Sequence, residues 1–423
     1  SGTSLKVAQL GGYVAEHTNY HHGEQNLFET IIKMANEFPG SNNIPLLYRD
    51  GMFGSRSLGG KDAASPRYIY TKFDMLTHLI YRQEDFPVME HNIDDGDIVE
   101  PKFYIPIIPM ILCNGCNAGI GTGWSCNVPS YNPLELIDCV YHWINNGHTS
   151  FIEDIENNNE KICIIPEIKP WYRDFNGEIE EVSDGKYITK GIVSDDNKNN
   201  KVVSELPIGL WTDKFKETCE ELLISKKIKG MKNYSTPKKP HFVIKECNDN
   251  MKCSINNLKL YTYIYNTNMV LFTEDSKISK YDNIYQIIDK FCKTRFEYYI
   301  KRKVHILKNL TNELSIISNK ARFIREIIDK KLDIMFIEEC EIIKKLENSN
   351  YDKLTENEKE SYDYLLRMHI RTFSKEKVLE LEKEMNNLSK HIIKIEKTSE
   401  EEMWKQELEE LKTGYKKFLT KIK

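Results

Sequence analysis

Two long apolar stripes in the last third of the chain set its architecture. Val304, Leu307, Leu310, Leu314, Ile317, Ala321, Ile324, Ile328 and Leu332 recur at steps of three and four, and so do Val378, Leu381, Met385, Leu388, Ile392 and Ile395. Residues spaced this way share one helix face, and such a stripe with charged flanks is the seam of a coiled coil. Between the stripes lies an insert rich in Tyr, Asn and Leu, 337–373, carrying Tyr362, Tyr364, Leu365, Leu366 and Met368. The pattern predicts an antiparallel coiled-coil arm, 283–336 with 374–423, and a small helical domain at its tip. At about 1.5 Å of rise per residue, ~50 helical residues would span roughly 75 Å.

Composition bounds the rest. With 423 residues, 40% of them hydrophobic and 29% charged, the chain fits two or three domains with a sizeable core. No stretch approaches the ~20 apolar residues of a membrane helix, which excludes a membrane partner of that kind. No signal-peptide pattern opens the chain, and Ser1-Gly2 reads as an expression remnant. Ten irregularly spaced cysteines make no disulfide framework and point to a reducing compartment. Cys113 and Cys116 form a CxxC pair that lacks a second pair at zinc-ribbon spacing, so both read as incidental thiols. The net charge of −5 is uneven: Arg56, Lys61, Arg67, Lys72 and Arg82 cluster between Gly51 and Arg82, and seven lysines with no acid lie between Ser225 and Lys245. A polyanionic partner fits those stretches.

In the first third, Leu27, Ile31, Met34, Ala35 and Phe38 mark a helix that Pro39-Gly40 ends. Tyr68-Ile69-Tyr70 reads as an extended segment, followed by a T-x-x-D capping box at Thr71 and Asp74. This would place Arg67 and Tyr68 just before a helix N-terminus, where backbone N–H groups favour a phosphate. The apolar run from Phe103 to Leu112, broken by Pro106 and Pro109, is expected to form short buried strands leading into the turn Gly119-Ile120-Gly121-Thr122-Gly123. Residues 129–282 read as a mixed α/β domain.

Ser65-Pro66-Arg67-Tyr68 is the chemical focus. A tyrosine hydroxyl, with a pKa near ~10, is a weak nucleophile until something eases the loss of its proton. An adjacent arginine supplies permanent charge and a bidentate grip on phosphate. Such a pair suits attack on a phosphodiester, although an arginine packed on an edge tyrosine gives the same sequence.

A wider set of motifs, in collinear order over almost the whole chain, narrows the choice. Leu5-Lys6-Val7-Ala8-Gln9-Leu10, Tyr20-His21-His22-Gly23-Glu24, Gly40-Ser41-Asn42-Asn43, Phe53-Gly54-Ser55-Arg56 and the run from Gly59 to Tyr68 resemble the cleavage domain of eukaryotic type IIA DNA topoisomerases. So do Tyr104-Ile105-Pro106-Ile107-Ile108-Pro109-Met110, Gly119 to Ser125, Glu205-Leu206-Pro207 with Trp211-Thr212, and Tyr364-Leu365-Leu366. The Asn- and Lys-rich loops and the short insert are similar to the enzymes of large cytoplasmic DNA viruses, of the African swine fever virus kind.

The resemblance implies a multidomain α+β chain: a winged-helix DNA-cleavage domain (1–128), an α/β tower (129–282), the coiled-coil arm, and a dimer-gate domain (337–373). It implies that Tyr68 attacks DNA, that Arg67 holds the scissile phosphate, and that His22 donates or shuttles a proton. His21, Arg56, Lys61, Ser65 and Lys72 would contact DNA, and Ile120 would wedge between base pairs and bend the duplex. The partners implied are double-stranded DNA and a second copy, one tyrosine per strand, with the tip insert free to meet its counterpart. The acidic E-G-D-S-A and D-x-D-x-D stretches that hold Mg²⁺ in the family do not occur here, nor does its ATP-binding module. The expectation is therefore a piece of a longer enzyme, with no metal site or cofactor of its own, inactive in cleavage alone, and dependent on Mg²⁺ and ATP as a full-length protein. It would work in host cytoplasm at viral replication sites if viral, or in the nucleus if from a cellular eukaryote. A rival reading is a non-catalytic DNA-bending or clamp protein on the same scaffold.

Overall fold

The computed structural model describes residues 3–121, 123–154, 160–196, 200–246, 253–334, 337–356 and 359–422. The chain divides into two compact units, residues 1–297 with 404–423, and residues 298–403.

In the first unit, α1 (Val7–His17) and α2 (Glu24–Ala35) pack their apolar faces on each other. Val7, Ile31, Ile32, Ala35, Leu47, Phe53 and Ile69 form the core beneath them. A short antiparallel pair, Leu5–Lys6 with Tyr70–Thr71, brings the segment after Tyr68 back to the start of α1. The next helix, α3 (Met75–Ile80), is capped by Asp74, whose carboxylate accepts from the Leu76 N–H. The expected capping box is replaced by a different division of labour, because the Thr71 hydroxyl donates to the Tyr48 carbonyl instead. Arg67 and Tyr68 are thus separated from that helix by a strand.

The Phe103–Leu112 run also differs from expectation. It holds no strand: Pro109 sits at the N-cap of α4 (Met110–Asn114), where its missing N–H costs nothing. The glycine-rich turn closes a hairpin, Cys116–Gly121 with Trp124–Val128. Asn132 caps α5 (Pro133–Asn145), which buries Leu136, Ile137, Val140, Trp143 and Ile144. Two antiparallel sheets follow. One has the order Tyr261–Tyr265, Lys186–Lys190, Glu178–Ser183. The other runs Ile192–Asp195, Asn200–Glu205, Phe242–Glu246, Ile228–Asn233. Against the second sheet lies α6 (Thr212–Ile224), with Phe215 and Cys219 in its core.

Asn43 ties these parts together. Its side chain is buried and donates to the carbonyls of Cys113 (2.9 Å), Tyr131 (3.0 Å) and Trp171 (3.1 Å), while its oxygen accepts from the Arg173 N–H (2.8 Å). Asn114 returns the clamp through the N–H and carbonyl of Ile44.

The chain enters the second unit along α7 (Ile284–Ile328). There Ile317, Ala321 and Ile324 pack with Val378 and Leu381 of α10 (Lys375–Lys397), joined by Met385 and Leu388. This is the seam the spacing predicts, although Val304 at its start is exposed. Between the two helices, α8 (Glu339–Asn348), a small hairpin (Leu354–Glu356 with Lys359–Ser361) and α9 (Asp363–Leu366) form the insert. Tyr362 and Leu365 are buried within this chain: with Leu346 and Tyr351 of the insert, Phe323 of α7 and Leu332 they form one core cluster. The arm expected over 374–423 also stops short. In α11 (Glu400–Ile422), Trp404, Leu408, Leu411 and Tyr415 are buried, and Trp404 donates to the Ile107 carbonyl (2.9 Å), so these residues belong to the first unit.

Truncating the Asn43 clamp leaves three buried carbonyls without a donor. Asn43→Ala should lower unfolding stability by more than 2 kcal/mol, since each orphaned buried group costs about 1–3 kcal/mol. Denaturant unfolding checks this; a midpoint shift no larger than that of a surface control would refute it.

Candidate functional site

Tyr68 stands on a tight turn in which its N–H donates to the Ser65 carbonyl (2.9 Å). Pro66, with φ fixed by its ring, suits the second position of such a turn. The turn is fastened to the first turn of α1: the N–H groups of Val7 and Ala8, which no intrahelical acceptor serves, donate to the carbonyls of Ile69 (3.0 Å) and Pro66 (3.2 Å). Ile69 is driven into the core at 1% exposure, and its neighbour Tyr68 is left 65% exposed. The Arg67 guanidinium lies over the Tyr68 ring, 4.8 Å from its centroid. Ser65 and Arg67 are exposed on the same turn. Ser65, Arg67 and Tyr68 therefore form one small, rigidly backed, solvent-facing group.

The glycine-rich loop before it is tied down from below. Ser55 donates through its N–H and hydroxyl to the Asp62 carboxylate, closing the loop on itself. Gly59 has a φ of +63° and lies so close to the Trp211 indole that a Cβ there would come within 2.4 Å of it. Asp213 donates its N–H to the Ser57 carbonyl (3.1 Å). Beneath these contacts Arg56 and Glu205 form a buried ion pair, both with side chains 3% exposed. Glu205 also accepts from the N–H groups of Leu206 (2.8 Å) and Asn176 (3.1 Å), and Arg56 donates to the Leu206 carbonyl (2.9 Å). Lys61 is left exposed at the end of the loop.

Elsewhere, Ile120 projects from the hairpin at 84% exposure, paired in register with Ser125. Lys72 is half-buried with its ammonium 5.5 Å from the Tyr48 ring centroid. His21 and His22 are exposed on the connector between α1 and α2, where His22 meets the edge of Tyr20 (5.6 Å). No hydrogen bond or ring contact joins either histidine to Tyr68 among the described residues.

The sequence profile of the DNA gyrase/topoisomerase IV family, in its A-type component, matches residues 1–409. The chain belongs to this type IIA topoisomerase family. It is 43% identical over 412 residues to the DNA topoisomerase 2 of Invertebrate iridescent virus 6, covering 96% of this chain and 34% of that one. To the DNA topoisomerase 2 of Saccharomyces cerevisiae it is 34% identical over 471 residues, covering 99% and 32% respectively. A solved structure of the Plasmodium falciparum topoisomerase II DNA-binding, cleavage and re-ligation domain matches with a TM-score of 0.87 at 33% identity, over 100% of this chain and 59% of that one. The mixed α/β fold is the one seen there. This topoisomerase chain spans about a third of the length of the two full-length relatives.

One expected contact of this topoisomerase chain needs correcting. Arg56 does not face a polyanion; it is buried and committed to Glu205. Sequence showed its charge but not its partner, which lies 149 residues away. The seven lysines between Ser225 and Lys245, by contrast, are all exposed, and none makes an ion pair among the described residues. Six of them lie on the edge strand Ile228–Asn233 and its flanks, and Lys245 lies on the neighbouring strand Phe242–Glu246, a feature that lysine density pointed to without assigning residues. No group of three or more His, Cys, Asp or Glu side chains among the described residues converges to hold a metal.

The two arginines should separate cleanly by stability. Removing one partner of a buried pair costs about 3–5 kcal/mol because the other charge stays uncompensated, whereas exposed substitutions fall within about ±0.5 kcal/mol. Arg56→Ala should therefore lower the unfolding free energy severalfold more than Arg67→Ala in denaturant melts, and equal effects would contradict the burial.

Proposed function

We propose that this chain is the DNA breakage-and-rejoining core of a type IIA topoisomerase, with Tyr68 as its nucleophile. The observation that carries the reading is the Tyr68 turn, exposed to solvent, bearing Arg67 on the ring and braced by α1, in a chain of this family. The Tyr68 hydroxyl loses its proton as its oxygen bonds to phosphorus, and the P–O bond to one deoxyribose breaks as that oxygen takes up a proton. Bond energy is kept in the phosphotyrosine, so the sugar hydroxyl can reverse the step. Arg67 neutralises phosphate charge, and His22 serves as proton donor. His21, Lys61, Ser65 and Lys72 contact the backbone, and Ile120 wedges between base pairs. Two copies cut the two strands of one duplex, so that a second duplex passes.

In the layout we propose, 1–128 is a winged-helix cleavage domain, 129–282 a tower, 283–336 with 374–403 the arm, and 337–373 the dimer gate. Full-length enzymes of the family use Mg²⁺ and ATP, which here would come from parts outside this chain. The site of action would be host cytoplasm at viral replication sites if the source is viral, and the nucleus if it is a cellular eukaryote. The exposed lysine edge supports DNA binding despite the overall acidic charge.

Two outcomes are expected. In the full-length enzyme, Tyr68→Phe should abolish covalent DNA attachment, trapped with denaturant, while duplex binding stays nearly unchanged; a surviving adduct would remove Tyr68 from the role. The present chain should bind duplex with an affinity that falls steeply with salt, at a log–log slope of about −0.9 for each phosphate neutralised. Replacing Lys229, Lys232 and Lys245 by Ala should flatten that slope, and an unchanged slope would take the lysine edge off the DNA path.

A further inference from the structure

The CxxC pair visible in the sequence is not the pair that forms in space. Cys113 is buried, and burial pushes its thiol far up from the usual range. Cys116 instead meets Cys126 across the hairpin that carries Ile120. Strand register explains how: Cys116 lies opposite Val128 and Gly119 opposite Cys126, so two residues on one strand, Asn117 and Ala118, face a single residue on the other. This is a β-bulge. Ala118 takes a φ of +53°, and its N–H is held by the Asn127 side chain (2.7 Å). The bulge turns the Cys116 sulfur inward, into space that Gly119 leaves open; a Cβ at 119 would lie 2.4 Å from that sulfur and 3.9 Å from the Cys126 Cβ. The Cys116 sulfur is 3.9 Å from the Cys126 carbonyl, so the two cysteines face each other across the bulge.

We propose that Cys116 and Cys126 are a modification site for a two-electron oxidant of the peroxide class, which converts them to a disulfide that staples the Ile120 hairpin. One sulfur attacks a peroxide oxygen, giving a sulfenic acid and one water. The second sulfur displaces the sulfenic oxygen as another water. Two S–H bonds and the O–O bond break, one S–S bond and two O–H bonds form, and the two electrons pass from sulfur to peroxide. Partial burial raises the Cys126 thiol above its ordinary range, which slows attack by that sulfur. Both cysteine residues are partly exposed. Among the other described cysteines, Cys113, Cys139, Cys219, Cys253 and Cys292 are buried, partly exposed Cys163 has its sulfur 3.8 Å from the Ile165 carbonyl, and exposed Cys340 meets a carboxylate.

A covalent S–S bond is shorter than a thiol contact, so oxidation draws the bulged strand toward its neighbour. Bulges aim side chains, and Ile120 follows Gly119 directly. Its projection shifts with the bulge, which lowers DNA bending; this consequence rests on the wedge role proposed for Ile120, whereas the disulfide does not.

The test separates the two. The chain is titrated with hydrogen peroxide, free thiols are alkylated, and peptides are mapped. A Cys116–Cys126 cross-link should appear before any other, with loss of two hydrogens and reversal by dithiothreitol. Trp124, exposed and opposite Gly121 in the same hairpin, should report the change in its fluorescence. Cys116→Ser and Cys126→Ser should each abolish both signals, while the wild-type map alone decides the matter if either variant folds poorly. Thiols that remain freely alkylated, or a sulfur oxidised further without a cross-link, overturn the proposal. Energy transfer between the ends of labelled duplex should then fall severalfold on oxidation and recover on reduction. Cross-linked protein that bends DNA as well as reduced protein overturns the regulatory consequence, and reduced protein that never bends DNA overturns the wedge reading while leaving the cross-link result to stand.

Discussion

The ion pair between Arg56 and Glu205 fixes the ground on which the candidate site stands. Two buried charges are tolerable when they meet each other and their remaining hydrogen-bonding positions are filled, and here backbone N–H groups of Leu206 and Asn176 fill those of the carboxylate. The pair locks the glycine-rich loop to the segment around Trp211, and the loop in turn leads into the Tyr68 turn. A change at position 205 would therefore reach Lys61 and Tyr68 without touching either. Its value to the molecule is geometric, since well-packed apolar residues in the same volume would serve stability about as well.

Sequence spacing exposed the arm most clearly because one seam needs no information from elsewhere: Ile317, Ala321, Ile324, Val378 and Leu381 mark both the helices and their contact. Motif order likewise marked the Tyr68 turn, its arginine and the hairpin carrying Ile120. What was hidden depends on partners distant in the chain. Arg56 looked like a surface cation because Glu205 lies in another segment, and the three carbonyls that Asn43 gathers have no local signature. Local competition hid other features. Thr71 satisfied the letter of a capping box, yet the Tyr48 carbonyl claimed its hydroxyl, and Asp74 capped the helix alone. The Phe103–Leu112 run was apolar enough for strands, but Pro109 is better used as a helix start.

Exposure is divided sharply along the Tyr68 turn. Ile69 enters the core while the tyrosines on either side stay in solvent, at 65% and 37%. Alternation on this scale lets a single buried side chain aim an exposed one, and backbone hydrogen bonds to α1 hold the turn in place. Enzymes that react with a large, stiff polymer benefit from such bracing, because the substrate cannot adapt to a misplaced group.

The insert between α7 and α10 fills its interior with its own tyrosines and leucines, closed by Phe323 of α7 and Leu332 from the same chain. A domain that needs a neighbour to complete its core is bound to that neighbour for life; one that closes itself can meet and leave a partner without unfolding. Its outer surface is thereby released from any duty to the fold.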